Sequence, residues 1–66
     1  MTAIQFRNAL RRLDLTQQGM AKLLGADERT TRRWALGERA VPSCVAIVLR
    51  LLVTEKITTA DIEAVR

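Results

Sequence analysis

Apolar residues recur along this chain at helical spacing, in blocks separated by capping and turn residues. Phe6, Leu10 and Leu13 fall at i, i+4 and i+7, the inward stripe of a first helix. Thr2-x-x-Gln5 ahead of them has the spacing of a capping box. Met20, Ala21 and Leu24 share one face of a second helix, opened by Gln17 behind Thr16 as N-cap and stopped at Gly25. Asp27 is placed to cap a third helix, Glu28 to Leu36, with Thr31 and Trp34 on its inner face and Gly37 after it. Pro42 suits the first turn of a fourth, Ser43 to about Val53. Thr58-x-x-Asp61 opens a short fifth carrying Ile62 and Val65. The pattern predicts a single all-α domain over residues 1–66, with five helices and no strands.

The second and third helices are the informative pair. Only Gly25-Ala26-Asp27 separates them, so they form two short helices around a tight turn. Ala21 lies where they are expected to cross, where a small side chain permits close approach, and Trp34 supplies bulk to lock them. The outer face of the third helix carries Glu28, Arg29, Arg32 and Arg33, at i, i+1, i+4 and i+5. Three guanidinium forks on one short helix repel one another unless an anion is the intended neighbour. Their geometry matches phosphate oxygens and the acceptor edge of guanine.

Leu15-Thr16-Gln17, Met20-Ala21, Leu24-Gly25, Thr30-Thr31-Arg32-Arg33-Trp34 and Gly37, with Pro42 beyond, together resemble the helix-turn-helix of the Cro/C1-type (phage repressor-like, XRE) DNA-binding family. The resemblance runs from about Phe6 to Leu52. It implies a five-helix, lambda-repressor-like fold whose third helix enters the major groove of double-stranded DNA. By position, Glu28, Arg29 and Arg33 then match residues that read base edges, and Arg32 either reads bases or clamps phosphate. Gln17, at a helix N-terminus that favours anions, matches a phosphate contact, as does Arg39 in the following loop. Arg7 and Arg11 on the first helix are either phosphate contacts or solvated surface. Glu28 could accept from cytosine N4, favour the helix dipole, or pair with Arg32. Gly19, inside the second helix, marks either close approach to DNA or an unconstrained exposed site.

Two positions depart from the family pattern. Thr31 stands where Val or Ile is commoner, and its hydroxyl needs a partner such as a carbonyl one turn back. An Arg–Glu ion pair found in many relatives is replaced by Leu10 and Ala35, an exchange that is often neutral or stabilising.

Charge sharpens the picture. The net charge is +4, and residues 1–40 hold all of it, with eight Lys/Arg against four Asp/Glu. Residues 41–66 balance three against three. One half is suited to a polyanion and the other to something else. The single cysteine and the absence of histidine offer no metal cluster or internal disulfide, which fits a reducing cytoplasm. No cofactor is expected. The N-terminal residues lack the apolar run of a secretory signal, and no stretch has the length of a membrane span. With no phosphate-cradling glycine loop and no acid pair in an apolar setting, an enzyme is not expected.

The fourth helix is apolar on almost every side. Val45, Val48, Leu49 and Leu52 make one stripe, and Cys44, Ile47 and Leu51 another. A 66-residue chain buries only about 60% of its unfolded surface and has little with which to cover both. Either the last helix folds over the second stripe, or a homodimer forms through Cys44, Ile47 and Leu51. Three functions follow: a homodimeric repressor that occludes a promoter at a two-fold operator; an antitoxin-type DNA-binding protein whose C-terminal helices also hold a toxin; or an accessory DNA-bending protein of a mobile element.

Overall fold

The computed structural model describes residues 1–66 and contains five helices and no strands: α1 (Ala3–Arg12), α2 (Gln17–Leu24), α3 (Glu28–Leu36), α4 (Ser43–Val53) and α5 (Thr59–Val65). The predicted caps all carry hydrogen bonds except at α4. The Thr2 hydroxyl accepts from Gln5 N–H while Gln5 Oε1 accepts from Thr2 N–H, at 3.1 and 2.9 Å. Thr58 and Asp61 repeat this box at the start of α5, at 3.2 and 2.8 Å. Asp27 caps α3 by accepting from Arg29 N–H. Pro42 sits at the N-cap of α4 rather than inside its first turn and makes no side-chain cap.

The first four helices stop in the same way. At each, an N–H just past the end bonds a carbonyl five residues back: Leu15 to Leu10, Ala26 to Ala21, Glu38 to Arg33 and Lys56 to Leu51. This closure needs a left-handed residue. Gly25 and Gly37 supply it at φ 67° and 78°, whereas Asp14 and Glu55 adopt φ 55° and 61° with a Cβ in place.

The core is small: 12 of 66 residues are buried, so each large side chain in it matters. Phe6 from α1 meets Trp34 from α3 edge to face, with ring centroids 6.0 Å apart and planes at 82°. Trp34 therefore locks α3 to α1, a role beyond its expected contact with α2. Leu49 and Leu52 close the core from α4, and Met20 and Leu23 from α2.

Two expected stripes shift by one position. In α2 the buried residues are Met20, Ala21 and Leu23; Leu24, at the last helical position, is half-buried along an open apolar groove with Ala26, Trp34, Cys44, Val45 and Val48. In α4, Ala46 joins Leu49 and Leu52 inside, and Val45 and Val48 are only half-buried along that groove. The small alanine suits the close approach of α4 to its neighbours. The fifth helix packs against α2, and the Arg66 guanidinium donates to the Lys22 carbonyl near the end of α2. Ile57 and Ile62 are half-buried against the core, whereas Val65 stays 87% exposed. No helix is long and apolar enough to cross a membrane.

Candidate nucleic-acid interface

The third helix owes its orientation to its inner face. Thr31, Trp34 and Ala35 are buried. Thr31 is the only buried polar residue, and its hydroxyl donates to the Asp27 carbonyl at 3.1 Å. The partner one turn back is thus present, and no buried side-chain polar atom in the chain lacks one. With that face fixed by packing, Glu28, Arg29, Arg32 and Leu36 are exposed and Arg33 is half-buried.

The second helix contributes its N-terminus. Thr16 Oγ1 accepts from Gly19 N–H at 2.9 Å, which leaves the Gln17 and Gln18 amides at the open end of the helix. At Gly19 a Cβ would stand 3.2 Å from Thr16 Oγ1 and 3.7 Å from a Leu15 methyl carbon, a fit that needs only a small shift; Gln5 and Asp61 hold the same position behind Thr2 and Thr58 with a Cβ in place.

These pieces converge in two adjoining hollows. One is lined by Gln17, Gln18, Glu28, Arg29 and Arg32, between the start of α2 and the start of α3. The other is lined by Arg29, Arg32, Arg33, Leu36 and Glu38, along the rest of the outer face of α3. Arg29 and Arg32 belong to both. Gln17, Glu28, Arg29, Arg32 and Arg33 are therefore brought together. Gln18 and Leu36 join them without having been singled out from the sequence. The proximity of Gln18 to Gln17 was the available signal; an exposed leucine carried none, because helical spacing at a helix end does not fix exposure.

Arg39 is exposed in the loop that follows, its N–H on the Arg33 carbonyl at 3.3 Å. Arg11 is exposed on α1, one turn beyond Arg7. Arg7 is held differently: its Nη1 donates to the Ala35 carbonyl in the last turn of α3. It straps α1 to α3 through that one nitrogen, while the residue stays exposed and its other N–H donors have no partner in the chain. The guanidinium groups of Arg29, Arg32, Arg33 and Arg39 make no hydrogen bond within the chain, and Glu28 does not pair with Arg32; the arginines that donate to protein carbonyls are Arg7 and Arg66. Arg12 lies elsewhere, with Arg50, beside a hollow between α1 and α4.

On α4, Cys44 is exposed, Ile47 is 54% exposed and Leu51 is half-buried. The fifth helix docks on α2, so folding of the C-terminal segment does not remove Ile47 from solvent. Comparison of the chain with family models, with curated proteins and with solved structures finds no match to any of them.

Proposed function

We propose that the chain is a sequence-specific double-stranded DNA-binding regulator of the Cro/C1 helix-turn-helix type, with α3 as the helix that enters the major groove. The observation that carries this reading is the unpaired arginine face. Arg29, Arg32 and Arg33 project from one short helix, neither Glu28 nor Glu38 beside them forms an ion pair with them, and the open N-terminus of α2 stands next to them. Mutual repulsion of three guanidinium groups costs stability, and a polyanion offsets it. In this reading Glu28, Arg29, Arg32 and Arg33 face base edges. Gln17, Arg39 and Arg11 hold phosphates, and the Arg7 strap fixes the tilt of α3.

The active species is a homodimer formed through Cys44, Ile47 and Leu51 on α4, acting as a repressor by covering a two-fold operator. In the single chain Cys44 and Ile47 are left exposed on α4. The half of the chain that carries α4 has no net charge to oppose association. A second reading, an antitoxin that also grips a protein, draws on the apolar groove of Leu24, Ala26, Trp34, Cys44, Val45 and Val48 next to Ile47. Co-purification with a partner chain favours it.

Titration of a labelled random-sequence duplex at several salt concentrations tests the DNA reading. The expected result is a linear fall of log K against log salt, with a slope of about −0.9 per phosphate contact. Affinity that stays flat from low to moderate salt contradicts it.

A further inference from the structure

Leu36 stands out on the outer face of α3. It is 56% exposed and is the one apolar residue lining the hollow formed with Arg29, Arg32, Arg33 and Glu38. It lies seven residues after Arg29, so the two side chains stack nearly in line along the helix, two turns apart. Arg32 and Arg33 flank it one turn back. More than half of it stays open to solvent, although the hydrophobic effect favours covering it.

A cationic face that reads base edges has one apolar feature to meet in the major groove, the C5 methyl of thymine. We propose that Leu36 is a specificity residue that contacts a thymine methyl group at the edge of the segment read by Arg29 and Arg33. The proposal rests on α3 being the groove helix. Arginine forks select guanine through hydrogen bonds, whereas Leu36 selects thymine through apolar area alone. It therefore distinguishes thymine from uracil, which has the same hydrogen-bonding edge without the methyl. Burying one methyl-sized group corresponds to about a fourfold change in affinity.

The test uses the full chain and the best duplex selected from a random library, with each thymine replaced in turn by deoxyuridine. Wild-type protein is expected to lose about fourfold in affinity at one or two positions. Leu36→Ala should bind the parent duplex more weakly and the deoxyuridine duplex equally, while keeping its preference at the guanine positions. Leu36→Met, still apolar, should retain the sensitivity to the methyl group. Leu36 is exposed, so all variants should melt within a few degrees of wild type. A selected site at which deoxyuridine changes nothing, or a Leu36→Ala protein with undiminished sensitivity, overturns the proposal and leaves the DNA reading standing. A library that yields no preferred sequence overturns base reading by α3 and the Leu36 role together.

Discussion

Arg7 and Ala35 are 28 residues apart in sequence, yet the Arg7 guanidinium donates to the Ala35 carbonyl and ties α1 to the last turn of α3. The carbonyls at a helix C-terminus carry partial negative charge and lack partners within the helix, so a cation there is doubly favoured. The contact is partly solvated, which reduces its worth to about 1 kcal/mol, below the range for buried charged hydrogen bonds. Arg7→Ala should therefore lower unfolding stability by about 1 kcal/mol, while Arg11→Ala stays within about 0.5 kcal/mol of wild type. Urea unfolding of both variants measures this. Equal effects contradict the strap.

A second prediction concerns Glu55, at φ 61° where α4 ends. A left-handed residue with a Cβ costs roughly 1–2 kcal/mol, and glutamate, unlike aspartate at Asp14, has no short side chain to offset it locally. Glu55→Gly should stabilise the protein by about 0.5–1 kcal/mol after allowance for the added freedom of the unfolded chain. Asp14→Gly should gain less. The check is the urea midpoint at unchanged m-value; a lower midpoint for Glu55→Gly contradicts the argument.

The helix starts and most of the stops were legible in the sequence because they depend on groups three to five residues apart. Thr2 with Gln5, Thr16, Asp27, and Thr58 with Asp61 form the bonds their spacing predicts. Gly25 and Gly37 adopt the left-handed geometry expected of them. What the sequence left open depends on tertiary contact. Leu23 rather than Leu24 is buried because Leu24 borders a groove open to solvent. The docking of α5 on α2 and the reach of Arg7 to Ala35 join segments that no local pattern relates. At the candidate interface, the arginine face could be read from periodicity, whereas the exposure of Leu36 required knowing which inner face packing would select.

The third prediction separates base reading from phosphate binding. Arg29 is exposed in the first turn of α3, and Arg39 lies in the loop after that helix. Arg29→Ala should reduce discrimination between the preferred duplex and competitors by about 1–3 kcal/mol. Arg39→Ala should weaken binding to all sequences alike and flatten the salt slope by about one contact. Competition titrations measure both. A change of sequence preference in Arg39→Ala, with none in Arg29→Ala, contradicts the assigned docking.

The fourth prediction addresses assembly. Ile47 is more exposed than Leu51 and cleaner to mutate. Ile47→Glu should leave the melting temperature of the monomer near that of the wild-type fold while shifting sedimentation at micromolar concentration from dimer to monomer. A two-fold dimer spaces its groove helices by about one DNA turn, ~34 Å, so the variant should also lose affinity for a palindromic site more than for a half-site. A wild-type protein that sediments as a monomer both alone and on the palindrome contradicts the α4 interface.

The central claim is that α3 and the N-terminus of α2 meet the DNA. Amide chemical-shift mapping of the isotope-labelled protein, titrated with its selected duplex, tests it most directly. The account predicts that the largest changes fall at Gln17–Gly19, Glu28–Arg33 and Leu36–Arg39, with α5 little affected. Perturbation centred on α4 and α5, with α3 unchanged, would contradict it.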